Sequence, residues 1–104
     1  MAKPPDTWKE IERKVAAYLN CKRRGADYGS TTGGKNDLIC QDRSVEVKHS
    51  ARPTWGLITG AIEQAERARE RTDDLPLAVI HRKGTNVGDS IVCMRLKDFA
   101  DWFV

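Results

Sequence analysis

The sequence predicts an α+β domain of the broad α/β class, in which a central mixed sheet of five strands is flanked by helices. A capping box opens a helical pattern near the start of the chain, and a second helical pattern lies near its middle. Five short strand-like runs lie between and after these patterns, so the predicted order is α-β-β-β-α-β-β-α. A length of 104 residues suits one domain, which we assign to residues 1–104.

The first helix is predicted to begin at Thr7, because Thr7-x-x-Glu10 is a capping box followed by apolar residues at helical spacing. These apolar residues define a stripe that we expect to be buried. They are Trp8, Ile11, Val15, Tyr18 and Leu19.

Three strands are predicted in the next part of the chain. Residues 22–36 are rich in Gly, Ser, Thr and basic side chains, which indicates a short strand with the loop "GSTTGGKN". The runs 37–40 and 44–48 predict a hairpin that turns at residues 41–43.

The second half of the chain begins with a break at Pro53 and Gly56, after which residues 57–71 predict the second helix. The strand "PLAVIHR", the turn "KGTNVGD" and the strand "SIVCMRL" follow. A short closing helix presents its aromatic residues on one side, namely Phe99, Trp102 and Phe103.

Composition indicates a soluble globular protein, since 39% of the residues are hydrophobic and 32% are charged. No apolar run approaches the roughly 20 residues of a membrane span, so we expect no membrane partner. The first residues lack the apolar segment of a signal peptide, which predicts a cytoplasmic protein.

The three cysteines, Cys21, Cys40 and Cys93, are odd in number and form no C-x-x-C pair, so they are expected to pack as small hydrophobic residues.

The charged residues on the predicted hairpin indicate a metal-binding catalytic site. Alternation along the second strand sends Val45 and Val47 to one face and Glu46 and Lys48 to the other, where Asp37 from the first strand can join them. Two neighbouring carboxylates are costly unless a cation lies between them, and hard oxygen ligands suit Mg²⁺ or Mn²⁺. A lysine beside such a metal can orient or deprotonate a water. The alternative is an ordinary polar outer face.

Two polar residues on the helices strengthen the hypothesis of a site. Glu12 falls inside the apolar stripe of the first helix, where a carboxylate is costly without a partner. Gln64 is expected at the edge of the buried face of the second helix. Each is explained singly as a residue that borders an apolar stripe, but together they place two polar groups near the sheet.

The order of these residues along the chain resembles the pattern of the PD-(D/E)xK nuclease superfamily. Within that superfamily it resembles the small archaeal-type Holliday junction resolvases and their phage relatives. The resemblance rests on Glu12-Arg13, "GSTTGG", "NDLI", "VEVK" and the later helical Gln64, and it covers nearly the whole chain. It implies a restriction-endonuclease-like fold. The proline usual before the first aspartate is replaced by Asn36, a residue that tolerates turns.

The resemblance also implies roles for single residues. Asp37 and Glu46 would hold Mg²⁺, for which Mn²⁺ would substitute, together with the main-chain carbonyl of Val47. Glu12 would complete or support this metal site. Lys48 would position the water that attacks the phosphodiester.

The resemblance implies that the protein resolves four-way DNA junctions by symmetric cleavage and acts as a homodimer. It would act in the cytoplasm, which is the host cytoplasm if the protein is phage-encoded. Gln64 would orient the catalytic lysine or the water. Contacts to DNA phosphates are expected from basic side chains and from one of three loop hydroxyls: Lys22, Arg23, Arg24, Ser30, Thr31, Thr32, Lys35 and Arg52.

Two other functions fit the same residues. One is a nuclease of the same fold that acts on flaps, nicks or a specific duplex sequence. The other is a DNA-binding module with a vestigial site, although such a site would be expected to have lost at least one of the four charged residues, Glu12, Asp37, Glu46 and Lys48.

Overall fold

The computed structural model describes residues 7–23 and 37–104. In this part of the chain no helix is both long enough and apolar enough to cross a membrane. Five residues predicted to contact DNA lie outside the described ranges, namely Arg24, Ser30, Thr31, Thr32 and Lys35.

The described residues form a mixed α+β structure whose element order agrees with the predicted one, apart from an added 3-10 turn at Val87–Asp89. The helices are α1 (Trp8–Leu19), α2 (Trp55–Arg67) and α3 (Leu96–Phe103). The strands are β1 (Lys22–Arg23), β2 (Leu38–Ile39), β3 (Arg43–Ser50), β4 (Leu75–Arg82) and β5 (Ile91–Cys93).

Helix α1 begins where the capping box predicts. The Thr7 hydroxyl accepts a hydrogen bond from the Glu10 main-chain N–H at 3.2 Å, which confirms Thr7 as the N-cap. The helix ends at Asn20, which adopts the left-handed conformation with φ 55°. The predicted apolar stripe is buried only in its middle, because Trp8 lies in the first turn and Tyr18 at the border of the buried arc, and both are exposed.

The strands form two sheets in the described residues and not one sheet of five. β3, β4 and β5 lie in that order, with β3 parallel and β5 antiparallel to β4. β1 and β2 form a separate antiparallel pair. The predicted hairpin of residues 37–40 and 44–48 is therefore not the pairing observed: β3 forms its ladder with the buried strand β4, through a crossover that contains α2.

Apolar side chains cover both faces of the larger sheet. On one face Val45 and Val47 pack with Ile11 and Val15 of α1, as alternation along the strand predicts. A second cluster on α2 and β4 covers the other face. On that side the Ser44 hydroxyl donates a hydrogen bond of 2.6 Å to the Ala65 carbonyl. The sheet is thus held between the two helices, with β3 at its edge.

Helix α2 begins two residues before the predicted residue 57, because Thr54 acts as its N-cap and accepts from the Leu57 N–H at 3.1 Å. It ends at Arg67 and not at residue 71. Helix α3 is joined to α2 by an ion pair in which two nitrogens of Arg95 donate to the Glu66 carboxylate at 2.7 and 3.1 Å.

The cysteines differ from the prediction. Cys21 and Cys40 form a disulfide, and Cys93 alone is a free thiol. Two cysteines 19 residues apart carry no local signal of pairing. Only the pairing of β1 with β2 brings their Cα atoms to 4.8 Å, within the range that a disulfide requires.

Candidate active site

Asp37 binds the main chain of β3. Its Oδ2 atom accepts a hydrogen bond of 2.9 Å from the Val47 N–H. Because this N–H is directed to Asp37, it faces the edge of β3 that is not paired with β4. The N–H and C=O of one residue leave a strand on the same side, so the Val47 carbonyl faces this edge as well. An acidic side chain and a main-chain carbonyl therefore share the edge of β3.

Glu46 is the second carboxylate at this edge, and it is only 7% exposed. Burial is the main cause that raises its pKa from the ordinary 4.5 to about 8, and the charge of Asp37 raises it further. Lys48 opposes this rise, with its Nζ atom 4.0 Å from Glu46 Oε2. The protonated form of Glu46 is thus favoured at neutral pH.

Glu12 reaches the same place from α1 and is 3% exposed. Burial is again the largest cause that raises its pKa, and both the charge of Asp37 and a hydrogen bond with it add to the rise. Asp37 thus lies close to Glu12 and to Glu46 and interacts with each. Three carboxyl groups meet here, from α1, from β3 and from the residue that precedes β2.

Arg23 is the residue at this site that sequence reasoning assigned elsewhere. Its Nε atom donates to Glu12 Oε1 at 2.9 Å, and this hydrogen bond lowers the pKa of Glu12 against the effect of burial. The sequence predicted Arg23 as a phosphate contact. No spacing rule links residues 11 positions apart, and the contact exists because β1 lies beside α1. The role of Arg23 toward DNA stays a prediction.

We expect Arg23→Ala to lower the free energy of unfolding by about 1–3 kcal/mol at neutral pH, because it leaves a buried carboxylate without its donor. The measurement is urea unfolding of Arg23→Ala, Glu12→Gln and the double variant. Lys22→Ala is the matched control, since Lys22 is the exposed neighbour on the same strand. Additive losses in the double variant would contradict a direct Arg23–Glu12 interaction.

Gln64 was predicted at the edge of the buried face of the second helix. Its side chain is exposed, whereas Ala65, the next residue, is fully buried. Gln64 follows the buried Ala61 by three residues and precedes the buried Ala68 by four, so it borders the buried face of α2 while its own side chain is exposed. Its predicted action on Lys48 stays a prediction. Lys22 and Arg52, the two other phosphate-contact candidates in the described residues, are both exposed.

The donor atoms at the edge of β3 suit a small hard cation. Asp37 and Glu46 offer carboxylate oxygens and Val47 offers a carbonyl oxygen, and Mg²⁺ is bound by few protein oxygens of this type while it retains waters. In residues 7–23 and 37–104 no three His, Cys, Asp or Glu side chains are arranged to hold a metal ion together. The predicted set of Glu12, Asp37, Glu46 and the Val47 carbonyl includes three such side chains, and it stays a prediction.

Comparison with known proteins adds no assignment. No family model, no curated protein and no solved structure matches the chain.

Proposed function

We propose that the protein is a metal-dependent, structure-selective DNA endonuclease with a restriction-endonuclease-like fold, and that it resolves Holliday junctions. One observation supports this most: Asp37 bonds to the Val47 N–H while it interacts with both Glu46 and Glu12. A carboxyl cluster in which Glu12 and Glu46 are buried, with the Lys48 Nζ atom 4.0 Å from Glu46, suits binding of a divalent cation and positioning of a water.

In this proposal each residue has a distinct role. Asp37, Glu46 and the Val47 carbonyl hold Mg²⁺, or Mn²⁺ in its place. The bound metal supplies activation of a water and stabilises charge on the phosphodiester. Lys48 orients the attacking water or takes its proton. Attack in line with the leaving 3′ oxygen gives a 5′ phosphate, and Glu12 supports the site from the side of α1.

Junction resolution requires two symmetric cuts, so we propose a two-fold homodimer. Phe99 and Trp102 are each 44% exposed and Phe103 is 60% exposed, which gives α3 an apolar surface suited to an interface between protomers. In each protomer Lys22 and Arg52 are exposed and can approach phosphates in the arms of the junction.

The test is cleavage of a synthetic four-way junction labelled on each strand, with Mg²⁺ and with chelator. We expect paired nicks at symmetric positions that carry 5′ phosphates and appear only with the metal. Flap, nicked and linear duplex substrates are run beside the junction. Faster cleavage of one of these would assign the site to that substrate, whereas tight junction binding without any cleavage would indicate a vestigial site.

We expect junction binding to weaken steeply as salt rises, by about 0.9 log units per phosphate contact for each tenfold increase. Lys22→Ala and Arg52→Ala should each flatten this slope by roughly one contact. Titration of a labelled junction at several salt concentrations measures it. Arg67→Ala on α2 is the control, because Arg67 is also exposed but is not assigned to DNA. An equal change of slope in the control would remove the assignment.

A further inference from the structure

The Cys21–Cys40 disulfide lies beside the candidate active site. Cys21 directly precedes β1 and Cys40 directly follows β2, so the bond closes one end of this strand pair. The ladder between the strands has only two residue pairs, Lys22 with Ile39 and Arg23 with Leu38. So short a pair of strands has little stability by itself. A covalent link between the two strands at one end reduces the number of unfolded conformations that the chain can adopt.

The same strand pair positions two contacts of the site. Arg23, two residues after Cys21, donates to Glu12. Asp37, three residues before Cys40, accepts from Val47. The positions of both contacts depend on how β1 and β2 lie against each other and against α1. The disulfide is therefore the covalent support of the geometry that gathers the three carboxyl groups.

The surroundings of the bond suit both redox states. Cys21 and Cys40 are partly buried against the core cluster of α1 and β3, so a small dithiol can reach them. The Cys21 sulfur lies 3.4 Å from the Leu19 carbonyl oxygen, which is an acceptor for the thiol once the bond is reduced. Cys93 belongs to the other face of the sheet, packs with the α2 cluster and takes no part.

We propose that the Cys21–Cys40 bond is a redox-sensitive clamp that holds Arg23 and Asp37 in place and that its reduction lowers the activity of the site. A dithiol reductant supplies two electrons and two protons: the S–S bond breaks, two cysteine thiols form, and the reductant becomes a disulfide. An oxidised dithiol reverses the step. The effect on cleavage rests on the proposed function, while the effect on structure does not.

The experiment uses the full chain in two states, equilibrated with oxidised or with reduced dithiothreitol. Titration of the denatured protein should find one thiol after oxidation and three after reduction. We expect reduction to slow junction cleavage by roughly tenfold to a hundredfold, as small displacements of catalytic groups do, and reoxidation to restore the rate. The Cys21→Ser/Cys40→Ser variant should match the reduced protein in both buffers, and Cys93→Ser should respond like the unaltered chain.

A second readout separates this inference from the proposed function. The Val47 amide is bonded to Asp37, so its hydrogen exchange should become faster on reduction, whether or not the protein cleaves DNA. Equal exchange and equal cleavage in the two states would overturn the clamp. Absence of cleavage in both states, together with faster exchange on reduction, would overturn the proposed function and leave the clamp in place. The comparison of the oxidised and reduced states uses the unaltered protein, so it does not depend on whether a variant folds.

Discussion

Asp37→Asn and Glu46→Gln should each slow metal-dependent junction cleavage by at least about 10²–10³-fold while junction binding stays close to that of the unaltered protein. Each change keeps the shape of the side chain and removes its negative charge. The amide introduced by Asp37→Asn retains an oxygen that can accept from the Val47 N–H, so the edge of β3 keeps its local structure. The loss therefore reports on the charge that holds the cation and not on folding.

The measurement is single-turnover cleavage with Mg²⁺, beside binding of the same junction without metal. Asp42→Asn is the matched control, because Asp42 is an exposed carboxylate in the turn before β3 with φ 64°, a conformation that asparagine tolerates. We expect this control to cleave normally. Near-normal metal-dependent cleavage by either site variant would remove that residue from the site.

The metal-free protein should lose stability as the pH rises from about 5 to about 8, by an amount on the order of a few kcal/mol. Glu46 is the main cause, because burial and the charge of Asp37 raise its pKa to about 8 from 4.5. The pKa of Glu12 is also raised by burial and acts in the same sense. A carboxyl group whose pKa is raised by folding binds its proton more tightly in the folded state. The stabilisation of the folded state by protonated Glu46 is thus complete below pH 4.5 and is lost as the pH rises through 8.

The difference between the unaltered protein and Glu46→Gln isolates this effect. His49 acts in the opposite sense at the acid end of the range, since burial lowers its pKa, and it is common to both proteins. Thermal unfolding at a series of pH values should show Glu46→Gln as the more stable protein at pH 8, with the advantage vanishing toward pH 5. Glu63→Gln, an exposed change on α2, should show no such trend.

Addition of Mg²⁺ at pH 8 should reverse the order of the two proteins. A cation that binds the ionised carboxylates stabilises the folded state in proportion to its affinity, and Glu46→Gln lacks one of the ligands. If Mg²⁺ stabilised both proteins equally, Glu46 would not be a ligand.

The sequence alone was sufficient for features that depend on neighbours within a few positions. The capping box placed the start of α1 at Thr7, and alternation along β3 separated Val45 and Val47 from Glu46. The wheel of α1 placed Glu12 on its buried face. These features follow from the periods of the helix and the strand, which any single segment carries in its own residue order.

The contacts that organise the candidate site were decided by the tertiary structure. The pairing of β2 with β1, the disulfide of Cys21 with Cys40 and the ion pair of Arg23 with Glu12 join residues from 11 to 19 positions apart. The raised pKa of Glu46 likewise depends on burial beside Asp37. Such contacts arise from the packing of separate elements against one another, and local periodicity contains no information about which distant partner an element will meet. The sequence therefore identified the ionisable side chains of the candidate site, whereas the neighbours that shift their pKa values were found only in the tertiary structure.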